Sequence, residues 1–220
     1  EKAEELKIEV INEVEMAYRL LPKDVTLVSI TGTNGKTTTT TLTYEMIKEE
    51  GIRCHLVGNI GYPLCSFLDK LQKGDVIVME TSCQQLNNVK EFKPHIAVMT
   101  NLSEAHVDFF DNSYSKYKDV KTKIFKNQTE DDIAILNLEN DEVLKQTKDI
   151  KSKKLYFSSK KKADCYLKDD IIYYNNDKCS EQYVIIIQEC LCTGRKSAQV
   201  RCKKESPFYK LIFICMGNSA

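Results

Sequence analysis

Leu6, Val10, Val14, Ala17 and Leu21 recur at helical spacing with charged residues between them, which predicts an amphipathic helix that Pro22 ends. Residues 25–30 predict a strand, and 37–50 predict a helix stopped by Gly51. Further strands are predicted at 52–57, 75–80, 94–100 and 132–138, with a helix at 114–127 before the last of them. Short strands follow at 154–157 and 165–174, the latter reading as a hairpin around Asp169-Asp170. Strands alternating with helices predict an α/β fold, a mostly parallel sheet flanked by helices. Such sheets bind ligands beyond the carboxyl ends of their strands. Four polar features fall at those ends: a glycine loop after the first strand, Asn59 after the second, Glu80 closing the third, and residues 101–108 after the fourth.

The glycine loop is the sharpest of the four. Val28-Ser29-Ile30-Thr31-Gly32-Thr33-Asn34-Gly35-Lys36-Thr37-Thr38 runs from a strand through a glycine-rich turn into a threonine-rich helix start. A polyphosphate needs this arrangement. Glycines let backbone N–H groups crowd around phosphate oxygens, and the helix N-terminus adds partial positive charge. Lys36 can reach terminal phosphates and the Thr37 hydroxyl can hold a magnesium ion. The common phosphate loop has a further glycine where this chain has Ile30, so the match is a variant. The same residues also read as a plain polar turn between strand and helix.

Composition narrows the picture. The 220-residue chain is long enough to bury a real core. Lysine plus arginine equals aspartate plus glutamate at 32 each, so no general nucleic-acid partner is indicated. The longest apolar runs, at 183–187 and 211–216, are far too short to span a membrane, and the polar start does not read as a signal peptide. A cytoplasmic location is the expectation. Nine cysteines without a close Cys-x-x-Cys pair argue against a disulfide framework or a zinc ribbon. Five of them, Cys179, Cys190, Cys192, Cys202 and Cys215, crowd into the tail.

Three single residues could carry chemistry. Glu80 ends the apolar run Val76-Ile77-Val78-Met79, where a carboxylate is costly unless it meets a cation. Magnesium held with Thr37 would supply one; an exposed strand-end acid is the alternative. His106 lies just after a strand and suits a metal or an oriented polar contact. His55, within a strand, and His95, at a strand start, read as structural. Lys121 shares the apolar stripe of its helix with Tyr117, Ile124 and Phe125. It either snorkels to water or is buried with a purpose, and burial would lower its pKa, making it reactive towards carbon dioxide or able to neutralise phosphate charge.

Six ordered motifs give these residues a common setting. They are Gly32-Thr33-Asn34-Gly35-Lys36-Thr37-Thr38, Gly58-Asn59-Ile60-Gly61, Glu80-Thr81-Ser82-Cys83-Gln84-Gln85-Leu86, Thr100-Asn101-Leu102-Ser103-Glu104-Ala105-His106-Val107-Asp108, Tyr117-Lys118-Asp119-Val120-Lys121 and Asn137-Leu138-Glu139-Asn140-Asp141. In this order and spacing the chain resembles the central domain of the Mur ligases, which build the peptide stem of the bacterial cell wall. The Glu-x-Ser-x-x-Gln-Leu pattern of residues 80–86 resembles the D-glutamate-adding branch.

The resemblance implies a P-loop nucleotide-binding domain and an ATP- and Mg2+-dependent reaction. ATP would phosphorylate the alanine carboxylate of UDP-N-acetylmuramoyl-L-alanine, and the amine of D-glutamate would displace the phosphate. By the same resemblance Gly32, Thr33, Asn34, Gly35, Lys36, Thr37 and Thr38 bind ATP, with Lys36 neutralising the transferring phosphoryl group. Thr37 and Glu80 hold one magnesium. His106 and Lys121, the latter as a carbamate, support a second. Asn59, Ser82 and Gln85 would contact the nucleotide-sugar substrate, and a monomer is the expectation. Cys83, Gln84, Ala105 and Phe109 depart from the usual pattern.

The family comparison also predicts an organisation. Residues 1–22 would be the last helix of a preceding domain, and 23–177 the central ATP-binding domain. Residues 178–220 form a cysteine-rich tail, from a shifted reading frame or divergence. The family's Gly-x-His-Asn-x-x-Asn adenine motif does not occur. The chain alone is therefore expected to fall short of ligation. A Mur-type ligase for another amino acid and a non-catalytic Mg-ATP-binding module remain alternatives.

Overall fold

The computed structural model describes residues 2–104, 107–111, 113–168, 171–174 and 177–178. Among these, nine strands form a single sheet: β1 (Thr26–Thr31), β2 (Cys54–Gly58), β3 (Val76–Glu80), β4 (Ile96–Met99), β5 (Ile133–Asn137), β6 (Lys153–Ser158), β7 (Cys165–Lys168), β8 (Ile171–Tyr174) and β9 (Asp177–Lys178). Their order is β2-β3-β1-β4-β5-β6-β7-β8-β9. Strands β1 to β7 pair in parallel, and β7, β8 and β9 pair antiparallel. The expected hairpin is the β7–β8 pair, with Cys165 opposite Tyr174; its turn residues Asp169 and Asp170 lie outside the described residues.

The central strands are apolar on both faces because both faces are covered. Leu27, Ile77, Met79, Ala97, Met99, Ala134 and Leu136 point to one core; Val28, Ile30, Val76, Val78, Ile96, Val98 and Ile135 point to the other. The first core is closed by α2 (Glu13–Arg19), α4 (Cys83–Asn87), α5 (Tyr114–Thr122) and α6 (Asp141–Gln146), through Val14, Ala17, Leu86, Tyr117, Val120 and Val143. The second is closed by α3 (Lys36–Glu49), through Met46 and Ile47.

The chain leaves β1 for β2 and returns through β3, then crosses to the other side of β1 for β4. The carboxyl end of β1 is therefore the switch point of the sheet, the place where open α/β sheets receive ligands.

The first predicted helix is corrected. It is two pieces, α1 (Lys2–Glu5) and α2. Lys7 adopts a left-handed φ of 53°, and Ile8 N–H bonds back to the Ala3 carbonyl, which closes α1. Asn12 then starts α2, its side chain accepting from Glu15 N–H at 3.0 Å while donating to the Gln85 carbonyl. The helical spacing of Leu6 and Val10 is thus overridden by local caps, and both side chains are exposed. The helix predicted over 114–127 tightens to a 3-10 turn at Lys123–Phe125. The short helices α4 and α6 were not expected, although Ser82 and Gln85 form a reciprocal capping box readable as Ser-x-x-Gln.

Glu15 ties α2 to the domain. Its fully buried carboxylate accepts from the N–H groups of Lys90 (2.8 Å), Glu91 (2.9 Å) and Phe92 (3.1 Å) and from Arg19 Nε (2.9 Å). Burial alone would raise its pKa, but these donors outweigh it and hold the carboxyl below its ordinary value. A depressed folded pKa contributes stability above the unfolded value near 4.5 and loses it as pH falls through the folded one. Glu15→Gln is expected to cost about 2–3 kcal/mol at pH 7. Urea titrations at pH 7 and in the acid range should show a smaller acid-induced loss for the variant than for the parent.

Candidate active site

Loop 32–35 turns out of β1 in a shape that only glycine allows at two positions. A Cβ on Gly32, at φ 152°, would stand 1.8 Å from Thr100 Oγ1. Gly35, at φ 77°, is the left-handed cap from which α3 starts, and Lys36 is the first residue of that helix. The end of β4 clasps the loop. Thr100 Oγ1 donates to the Asn34 carbonyl at 2.7 Å, and the Asn101 side chain pairs with both Asn34 N–H (2.9 Å) and its carbonyl (3.1 Å). Thr33 N–H donates to the Asn101 carbonyl at 2.9 Å, and the Thr33 hydroxyl meets Ser103 N–H and the Tyr117 hydroxyl, both at 3.0 Å.

Two lysines converge on the loop. Lys36 Nζ donates to the carbonyls of Gly32 (3.0 Å) and Thr33 (2.8 Å), so the side chain folds back over its own loop. Lys121 Nζ donates to the same Gly32 carbonyl at 2.7 Å and lies 4.9 Å from the centre of the Tyr117 ring. Lys121 is 1% exposed, so it does not snorkel; it is buried at the loop. Burial, then the neighbouring Lys36 charge, push its pKa down to about 8, with Glu80 and Cys83 acting weakly the other way. Burial likewise lowers Lys36.

Glu80 is buried as well, at 1% exposure, which removes the exposed strand-end alternative. Its backbone pairs with Ile30 in the β1–β3 ladder. Oε1 accepts from Asn59 Nδ2 at 2.7 Å, whereas Oε2 is buried with no hydrogen-bond partner. An orphaned carboxylate oxygen beside a phosphate-type loop fits a hard cation. No group of three or more His, Cys, Asp or Glu that could hold a metal ion by itself occurs among the described residues. A cation here would therefore rely on Glu80, the Thr37 hydroxyl and ligand oxygens. Thr37 and Thr38 are exposed on the first turn of α3.

The remaining expected site residues are placed as follows. Asn59 follows Gly58, whose Cβ would stand 2.2 Å from the Glu80 carbonyl, and so Asn59 is delivered to Glu80. Ser82 and Gln85 hydrogen-bond each other in the α4 capping box, at 3.0 and 3.3 Å. His106 lies outside the described residues. His55 contacts Asp75 at 2.8 Å and His95 accepts from Leu27 N–H at 3.1 Å, both structural partners. Thr100, Asn101 and Tyr117 were not singled out for the loop; their roles need the β1–β4 pairing and the packing of α5, which residue spacing does not reveal.

Residues 30–193 match the family model described as the Mur ligase middle domain. The chain belongs to the Mur ligase middle-domain family. It is 38% identical over 200 residues to a UDP-N-acetylmuramoylalanine–D-glutamate ligase of Lactococcus lactis subsp. lactis (strain IL1403), covering 90% of this chain and 43% of that protein. A ligase of the same name from Bacillus cereus (strain G9842) is 38% identical over 187 residues, covering 84% of this chain and 41% of that protein. The chain thus spans less than half the length of these relatives. The solved structure of the MurF ligase from Thermotoga maritima in complex with ADP shares the fold, with a TM-score of 0.62 and 23% identity over 76% of this chain and 42% of that one. The glycine loop, Glu80 and Lys121 thus gather at the switch point of a sheet that belongs to the Mur ligase middle-domain family.

The lysine pair yields a pH test. With Lys121 near 8 folded and 10.5 unfolded, the unfolded chain binds more protons between those values. Stability from this group therefore rises with pH across that window, by up to about 3 kcal/mol. Denaturant titrations at pH 7.5 and 10 should show this rise in the parent relative to Lys121→Met, in which it is absent.

Proposed function

We propose that this chain carries the nucleotide-binding and phosphoryl-transfer core of a cytoplasmic ligase that adds D-glutamate to UDP-N-acetylmuramoyl-L-alanine in peptidoglycan synthesis. One observation carries the reading. Lys36 and Lys121 converge on the Gly32 carbonyl, and Glu80, with one carboxylate oxygen unpartnered, ends the neighbouring strand, in a chain 38% identical along 90% of its length to a ligase of that name.

When bound, Mg-ATP supplies the phosphoryl group that activates the substrate carboxylate. The chain's own residues position it and balance its charge. Lys36 would exchange its loop carbonyls for phosphate oxygens, a substitution of one acceptor set for another. The start of α3 would face the same charge. Glu80 and the Thr37 hydroxyl would hold magnesium, with Asn59 fixing the orientation of Glu80. Near neutral pH a lowered Lys121 pKa leaves a share of neutral amine. That amine attacks carbon dioxide, forming a carbamate N–C bond and releasing one proton. The resulting anion, with His106, would support a second cation. Asn59, Ser82 and Gln85 would face the nucleotide-sugar substrate, their present partners being one another and Glu80.

Titration of Mg-ATP against the 220-residue chain tests the core of this reading. Binding should weaken about tenfold or more in Lys36→Ala, the loss of a charged contact to phosphate. Glu80→Gln should blunt the magnesium dependence while leaving the fold intact. Equal affinity in the parent and both variants, or no binding by the parent, would overturn it.

A further inference from the structure

We propose that Asn140 is a positioning residue for the glycine loop, acting through Leu102. This rests on the nucleotide-loop reading of residues 32–38. Asn140 lies beyond the carboxyl end of β5, in the turn that leads into α6. Its Oδ1 caps α6 by accepting from Val143 N–H at 3.0 Å. A cap needs nothing more, yet the same side chain also reads a second segment. Oδ1 accepts from Leu102 N–H at 3.3 Å, and Nδ2 donates to the Leu102 carbonyl at 3.1 Å. A side-chain amide that pairs with both groups of one residue acts as an added rung of strand pairing beyond the last β4–β5 partners, Met99 and Leu136.

The held residue is the informative part. Leu102 has Asn101 on one side, which pairs with Asn34 through its side chain and with Thr33 through its carbonyl. On its other side is Ser103, whose N–H donates to the Thr33 hydroxyl. Asn140 therefore grips the residue between the two that clasp the loop. Asn137 adds to the same grip by donating from Nδ2 to the Thr100 carbonyl at 2.9 Å, and Thr100 in turn donates to Asn34. The chain of contacts runs from the turn after β5, through 100–103, to the backbone of Thr33 and Asn34. This gives the Asn137-Leu138-Glu139-Asn140-Asp141 motif a function at the nucleotide site that it does not itself touch.

Amide hydrogen exchange on the full chain separates this role from capping. Asn140→Ser keeps a side-chain acceptor for the α6 cap but is too short to pair with Leu102. Asn140→Ala loses both. In Asn140→Ser, exchange across 32–38 and 100–104 is expected to quicken about fivefold or more, as loss of the two hydrogen bonds to Leu102 implies. Exchange across 141–146 and in β1 and β3 should stay at the parent rate. In Asn140→Ala the 141–146 segment should quicken too. Loop exchange unchanged in Asn140→Ser overturns the proposal, and so does quickening spread equally over β1 and β3. The readout needs no nucleotide, so failure of the chain to bind Mg-ATP leaves this result decisive by itself.

Discussion

Backbone crowding at Gly32 is the constraint on which the site depends. The loop leaves β1 so close to Thr100 that no side chain fits, and this contact lets β4 brace what β1 begins. The brace leaves the Gly32 carbonyl facing inward, where it meets Lys36 and Lys121 together. A larger residue would separate the strands' ends and move the acceptor on which both lysines rest.

The electrostatics follow from that geometry. Burial disfavours both lysine charges, and two cations on one carbonyl repel each other, which is why Lys121 falls to about 8. Opposite them, Glu80 is held at one oxygen by Asn59 and left unmatched at the other. Charges of both signs are thus gathered at the switch point and incompletely satisfied by the chain itself. Sites that bind charged ligands commonly show this imbalance, while the purely structural Glu15 shows the reverse, with every donor it needs supplied by α2 and residues 90–92.

Much of this was legible from residue order. The parallel α/β sheet, the glycine loop at the carboxyl end of β1, and the inward face of Lys121 follow from periodicities of 2 and 3.6 and from glycine chemistry. The first helix was misread because apolar spacing says nothing of caps, and Lys7 and Asn12 each override it locally. The short helices escaped notice because five or six residues give too little periodicity, although the Ser82–Gln85 box signalled one of them.

By itself the sequence determined which residue types could meet phosphate and metal, because those demands are local: glycines without Cβ, a lysine at a helix start, an acid ending a strand. Only the tertiary structure decided who meets whom. The order β2-β3-β1-β4-β5 sets Asn59 beside Glu80, Thr100 and Asn101 beside the loop, and Asn140 beside Leu102. Strand order is a property of the whole sheet, fixed by how both cores pack. Contacts between residues some 20 to 90 positions apart have no signature in local spacing.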